Sequence, residues 1–278
     1  MSGPRIGLAL GGGSARGLAH IPMLEVFDEL GIKPSVIAGC SIGALVGAAY
    51  AGGMSARDIR EWAERLLSNR LSALRYAFGE KRVNPFDLLA LKGLGSLHLQ
   101  GEALAGLVLP GTLPKLIEDL AIPFKVIATD FDTMAEIVLQ EGPLVTAVGA
   151  SIAIPGVILG PKYDGHAYVD GCITNPVPFD HARQGMDIVV AVDVTGRPRP
   201  ATGAHRGNME LAVGSLFILF HQVAGLRRAI NPPDIYIRPA LDGFSGGDFF
   251  RIKDVMVQAG PAKDQLKREL EARILAIA

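Results

Sequence analysis

A chain of 278 residues that is 49% hydrophobic and 20% charged, with a net charge of −1, can bury a substantial core and offers no electrostatic footing for nucleic acid. Its two cysteines, Cys40 and Cys172, make no disulfide framework and fit a reducing compartment. The longest apolar run, Leu216-Phe217-Ile218-Leu219-Phe220, is far too short to span a bilayer, and Met1-Ser2-Gly3-Pro4-Arg5 leads into a strand pattern without a secretory leader, so a cytoplasmic location is expected.

In chain order, strand and helix patterns alternate. Ile6-Leu10 reads as a buried strand, followed by glycines and a helix through Leu24, Val26, Phe27 and Leu30 that Gly31 closes. Ser35-Ala38 is the second strand and Ile42-Ala51 the second helix, ended by Gly52-Gly53. Ser55 is placed to cap a third helix through Ile59, Trp62, Leu66 and Leu67. Residues 70–120 are irregular, with short helical patterns broken by Asn84-Pro85, Gly93, Gly95, Pro110-Gly111 and Pro114; a mobile cover over a site is one reading of that stretch. Strand character returns at Phe124-Thr129, Glu136-Leu139, His166-Val169 and Asp187-Val194. A long helix spans roughly Met209-Ile230, a strand lies at Ile235-Arg238, and an amphipathic helix starts at Pro261. The alternation predicts an α/β fold with a largely parallel, helix-covered sheet, and no composition break divides residues 1–278 into two domains.

Two strand ends carry glycine patterns with chemical meaning. Gly39-Cys40-Ser41-Ile42-Gly43 has the G-x-S-x-G form of a nucleophile elbow. There a serine stands on a tight strand-to-helix turn, and a Cβ at Gly39 or Gly43 would crowd it. Gly11-Gly12-Gly13-Ser14-Ala15-Arg16-Gly17 follows the first strand and can aim several backbone N–H groups into one concavity. The spacing fails both the dinucleotide fingerprint and the Walker A pattern. With a candidate nucleophile on the next strand, the anion that fits best is the oxyanion of an acyl transfer, and both loops would leave the same carboxyl edge of the sheet.

A serine hydroxyl needs a base. Of the six histidines, His20, His98, His166, His181, His205 and His221, none sits in a motif, and each reads as structural or surface. His166 stands apart only because it precedes Tyr168-Val169-Asp170-Gly171-Cys172. Asp170 ends an apolar strand and is either a turn former or, in a dry pocket, the base itself. Asp130 and Asp132 share one face, lack a third ligand in sequence and read as turn acids. Only one strand pattern precedes Ser41, which argues against the α/β-hydrolase topology.

Together these stretches resemble the bacterial patatin-like phospholipases, including the neuropathy-target-esterase type of catalytic domain. The resemblance runs from residue 5 to about 195 through Ile6-Gly17 with Leu18-Ala19-His20, Gly39-Gly43, Ala150-Ser151-Ile152-Ala153-Ile154-Pro155-Gly156, Asp170-Gly171 and Asn175-Pro176-Val177-Pro178. It implies one such domain over 1–278, a three-layer α/β/α fold with a central mostly parallel sheet, and a serine lipid acyl hydrolase needing no cofactor or metal. Carried over, Ser41 is the nucleophile in its Gly39–Gly43 elbow, Asp170 the base, and Gly11, Gly12, Gly13 and Arg16 the oxyanion hole. Cys172 replaces a small residue of the family pattern, and Ser14 replaces a glycine, so the choice of oxyanion amides stays open. The implied substrates are phospholipids, lysophospholipids or other fatty-acyl esters, with peripheral contact at the inner face of the membrane and no nucleic acid. Leu88-Leu91, Leu104-Leu109 and Leu216-Phe220 are candidate acyl-chain walls, with core packing the alternative. A non-catalytic binder of an anionic or lipid ligand, and an acyltransferase using the same serine, remain as other readings.

Overall fold

Strands β1 (Ile6–Leu10), β2 (Val36–Cys40) and β9 (Ile188–Val192) are buried at every position, the mark of a parallel sheet covered on both faces. The computed structural model describes residues 3–68, 99–163, 165–197 and 207–277. Among them the other strands are β3 (Leu99–Gln100), β4 (Phe124–Asp130), β5 (Glu136–Leu139), β6 (Ile158–Leu159), β7 (Lys162–Tyr163), β8 (His166–Asp170) and β10 (Ile235–Ile237). The main sheet has the order β10-β9-β1-β2-β4-β8-β7, with β5 also on β4. From β10 to β4 all pairings are parallel, while β5, β8 and β7 join antiparallel. This is the α/β architecture with a mostly parallel sheet that the alternating pattern predicts.

Alternate strand residues feed two separate layers. Ile6, Leu8 and Leu10, with Ile37, Ile188, Val190 and Val192, pack under helices α1 (His20–Glu29), α2 (Ile42–Ala51), α7 (Ile252–Gln258) and α8 (Gly260–Ile277). On the opposite face Ala9, Ala38 and Ala191 meet Val177, Phe179, Ala182 and Ala224. The small side chains let that layer come close: a Cβ on Gly7 would lie 1.8 Å from the Ala182 carbonyl oxygen. Ala224 belongs to α6 (Asn208–Ile230), which crosses this face.

The expected elements appear, with shifts of a residue or two at their ends. Ser55 caps α3 (Ala56–Ser68), accepting from the Asp58 amide at 3.1 Å while Asp58 accepts from the Ser55 amide, also at 3.1 Å. Gly31 follows α1 at φ +65. Of the irregular stretch, the breaks at Asn84-Pro85, Gly93 and Gly95, the Leu88-Leu91 run and His98 lie outside the described residues, as does His205. The remainder of that stretch holds β3 and α4 (Gly101–Val108), where Ala105 and Leu109 enter the core and Leu104 packs against it. Helix α5 (Leu144–Ser151) has no counterpart among the helical sequence patterns. Its eight residues include two valines, a threonine and a glycine, and so short an apolar run has no helical signature. No helix among the described residues is long and apolar enough to cross a membrane.

One detail of the sheet decides where the chemistry can sit. β5 pairs with β4 over Val126–Thr129. Both β2, over Phe124–Ile127, and β8, over Ala128–Asp130, overlap that stretch and therefore lie on the other edge of β4. They share that edge end to end: Cys40 stands opposite Ile127 and Asp170 opposite Ala128.

Candidate active site

Ser41 alone makes the turn between β2 and α2, at φ +53 and ψ −123. A non-glycine residue in that region stores about 1–3 kcal/mol of strain. Its amide donates to Ser151 Oγ at 2.8 Å, and the Ser151 hydroxyl donates to the Ile127 carbonyl of β4 at 2.6 Å. Only glycine fits at position 43, because a Cβ would stand 2.1 Å from the Leu10 carbonyl oxygen; at Gly39 it would stand 2.7 Å from the Gly43 oxygen. The start of α2 is thereby pressed onto the end of β1, and its N-terminal dipole lies beneath the serine.

The meeting of β2 and β8 brings Ser41 to Asp170. The Ser41 hydroxyl donates to Asp170 Oδ2 at 2.7 Å, and Asp170 Oδ1 accepts from the Cys172 amide at 2.9 Å. The Asp170 amide donates to the Ala153 carbonyl at 2.9 Å, so the residue is held at both ends. Asp170 is 1% exposed and Ser41 5%. Cys40, Ile127, Cys172 and Phe220 form an apolar cluster there, with Leu216 and Phe217 against it. Burial pushes the Asp170 carboxyl up to about 6, against the downward pull of the Cys172 amide, the Ser41 hydroxyl and the Cys172 thiol. At neutral pH it is thus ionised, yet more basic than an ordinary carboxylate. Leu216-Phe220 divides: Phe220 lies in the cluster beside Ser41 and Asp170, whereas Ile218 and Leu219 face outward.

The glycine loop lies against this pair, since a Cβ on Gly12 would stand 3.1 Å from Ser41 Cβ. Its donors are not equivalent. The Gly11 amide donates to the Val192 carbonyl at 3.0 Å and the Gly12 amide to the Pro176 carbonyl at 2.9 Å. Arg16, 2% exposed, turns its guanidinium to the carbonyls of Phe244 (3.1 Å), Arg197 (3.2 Å) and Gly13 (3.4 Å). The Gly11 and Gly12 amides, expected as oxyanion donors, are thus engaged by backbone carbonyls, and three of the five guanidinium N–H groups of Arg16 face carbonyls as well. Among the described residues the Gly13 and Ser14 amides carry no backbone partner. Arg16 still matters, because a carbonyl and the next N–H point opposite ways across a trans peptide. Drawing the Gly13 oxygen toward Arg16 turns the Ser14 N–H the other way. Ser14 adopts φ +56, and its hydroxyl donates to the Gly246 carbonyl at 2.6 Å, which holds a side chain where the backbone favours glycine.

Among the described residues no histidine bonds to Ser41 or Asp170. His20 is fully buried with its pKa pushed down to about 4 by burial, and its neutral ring donates to the Gly11 carbonyl at 2.7 Å, bracing the loop. His221 Nδ1 lies 3.3 Å from Thr195 Oγ1, and His181 contacts Glu136 in a network with Asn175, Asp180 and Arg227. Asp130 Oδ1 accepts from the Asp132 and Thr133 amides at 2.9 and 3.3 Å, as turn acids do. The third group that sequence spacing did not reveal is His166, whose Nδ1 is 2.9 Å from Asp130 Oδ2. Among the described residues three clusters bring potential ligand atoms within 4.8 Å of one another: Asp130 with Asp132 and His166, Glu136 with Asp180 and His181, and Cys40 with Asp170 and Cys172.

Ser151, which holds the Ser41 turn to β4, had no role in the sequence beyond its place in the Ala150–Gly156 stretch. Ser151→Ala leaves the Ser41 amide and the Ile127 carbonyl buried without their partner. It is expected to cost about 2–3 kcal/mol, read as a lower urea midpoint at unchanged slope.

A family model described as Patatin-like phospholipase matches residues 8–183. An uncharacterized NTE family protein of Mycobacterium tuberculosis is 36% identical over 196 residues, covering 70% of this chain and 50% of that protein. Patatin-like phospholipase domain-containing protein 6 of Homo sapiens is 33% identical over 295 residues, covering 94% of this chain and 20% of that protein. The chain therefore spans half or less of the length of these curated relatives. Among solved structures, VipD from Legionella pneumophila aligns with a TM-score of 0.53 at 14% identity, over 96% of this chain and 67% of that one, a likeness of fold alone.

Proposed function

The chain belongs to the patatin-like phospholipase family, and from that membership we propose that it is a serine hydrolase of phospholipid or lysophospholipid carboxylic esters, formed by one such domain over residues 1–278. The observation that carries the reading is the 2.7 Å bond from Ser41 Oγ to a buried carboxylate whose affinity for protons is raised.

As Ser41 Oγ attacks the ester carbonyl, Asp170 Oδ2 takes its proton, and the carbonyl π pair moves onto oxygen. The Gly13 and Ser14 amides, with that of Ile42 at the start of α2, are the donors this oxyanion would meet, each worth roughly 3 kcal/mol in such a hole. Collapse breaks the ester C–O bond, and Asp170 returns the proton to the leaving alcohol. The acyl-enzyme then reacts with water, Asp170 taking a proton from it, and a second tetrahedral collapse breaks the bond to Ser41 Oγ, which recovers that proton from Asp170 as the fatty acid leaves. None of the described histidines takes part. Peripheral contact with a bilayer, at its cytoplasmic face, belongs to the same reading; outward-facing Leu211, Ile218, Leu219 and Leu226 on α6 support it.

A fluorophosphonate probe is expected to add one adduct per chain at Ser41, located by peptide mass. The unlabelled protein is expected to release fatty acid from a panel of diacyl and lyso lipids. Folded protein that neither takes the label nor releases acid would overturn the hydrolase and leave a binder of anionic or lipid ligands.

A further inference from the structure

Cys40 immediately precedes the nucleophile and Cys172 follows the base by two residues, and their Sγ atoms lie 3.4 Å apart. Both are free and buried. With the Asp170 carboxylate they offer three ligand atoms within 4.8 Å of one another. We propose that these three residues form a site for one soft divalent metal ion of the zinc or cadmium class, an inhibitory ligand rather than a resident cofactor.

The chemistry of the donor set selects the ion. Two thiolates and a carboxylate suit zinc or cadmium and disfavour magnesium or calcium. An ion about 2.3 Å from each sulfur and about 2.0–2.2 Å from a carboxylate oxygen is the ordinary tetrahedral case. It requires the sulfurs to stand roughly 3.8 Å apart at that angle, a small opening from 3.4 Å. Water or Ser41 Oγ completes the four. The other two clusters hold no sulfur and are already paired: Arg227 and Asn175 bond Glu136 and Asp180, and His166 pairs with Asp130.

Access and charge both permit loading. Cys172 Sγ borders the space of the nucleophile, since a Cβ on Gly12 would lie 2.0 Å from it and 3.1 Å from Ser41 Cβ. On the dyad reading a substrate carbonyl must enter this same space to meet Ser41, and an ion would share it. Each thiol loses its proton to solvent on binding. The two thiolates, Asp170 and the ion together then carry the same single negative charge that ionised Asp170 carries alone. The apolar surroundings receive no added charge. Once bound, the ion holds the carboxylate lone pair that accepts the Ser41 proton, and attack stops until a chelator removes it. That consequence rests on the dyad reading; the ligand set does not.

The test is a titration of the purified, phosphine-reduced protein with cadmium, following thiolate-to-cadmium charge-transfer absorbance in the ultraviolet. Expected is a rise that saturates at one ion per chain, is competed away by zinc, and is lost in Cys40→Ala and in Cys172→Ala, each checked for fold by circular dichroism. Zinc is expected to inhibit hydrolysis of a short soluble ester, reversibly with EDTA, at least tenfold less potently in either variant. A wild-type protein with no band at stoichiometric cadmium overturns the site without any variant, as does a band that survives in both variants. Should the metal-free protein fail to hydrolyse esters, the hydrolase reading falls while the absorbance still decides the site.

Discussion

Ser41→Ala is expected to lower kcat on a short soluble ester by on the order of 10⁴-fold or more, leaving only what binding and oxyanion donors supply. The substitution keeps Cβ and therefore the backbone of the turn, so the fold is retained and the loss belongs to the hydroxyl. Ser41→Gly is expected to be equally inactive but more stable than Ser41→Ala by about 1 kcal/mol, because only the second keeps a side chain at φ +53. Thermal denaturation beside the ester assay separates the two effects. An alanine variant with more than a few per cent of wild-type turnover would sink Ser41 as nucleophile.

Asp170→Asn is expected to remove activity on a similar scale while making the protein more stable at neutral pH. In the wild type the rate should rise as pH passes through about 6, where the buried base loses its proton, and level off above it. Stability runs the other way. The folded carboxyl holds its proton up to about 6, against an ordinary value of 3.8. Between those values the folded chain binds more protons than the unfolded one. Stability therefore falls as pH rises through that window, by about 3 kcal/mol in all. Asparagine can still accept from the Cys172 amide and donate to Ser41 Oγ, and it carries no buried charge. The variant should therefore melt well above wild type at pH 8, and the two should converge toward pH 4. Equal melting temperatures at pH 8, or a wild-type rate flat from pH 5 to 8, would sink a buried ionised base.

How much of the fold and the site was legible in the sequence depends on how local each cause is. The elbow was, because a buried strand, two glycines and a small-residue helix lie close together in the chain. The glycine loop was legible as a loop but not as a set of donors. The partners that spend the Gly11 and Gly12 amides are Val192 and Pro176, and those that hold Arg16 and Ser14 are Phe244, Arg197 and Gly246. None of these is near the loop in sequence. Asp170 carried only a turn signal, Asp-Gly, and its role depends on β8 lying antiparallel beside β4. Ser151 was silent because its helix has no amphipathic period and its two partners belong to β2's end and to β4. The described histidines were legible as structural or surface residues, but their partners were not: neither the pairing of His166 with Asp130 nor the brace from His20 to Gly11 follows from local pattern.

β2 and β8 meet end to end on one edge of β4, and Asp170 follows Ser41 by 129 positions in the chain. During synthesis, Ser41 therefore leaves the ribosome long before Asp170 exists. Until β8 has docked, Ser41 has neither its hydrogen-bond partner nor the dry surroundings that raise that carboxylate's affinity for protons. On the proposed dyad, a chain that has not yet paired β4 with β8 is inert toward esters, so the reactive centre comes into being only as a late event of folding.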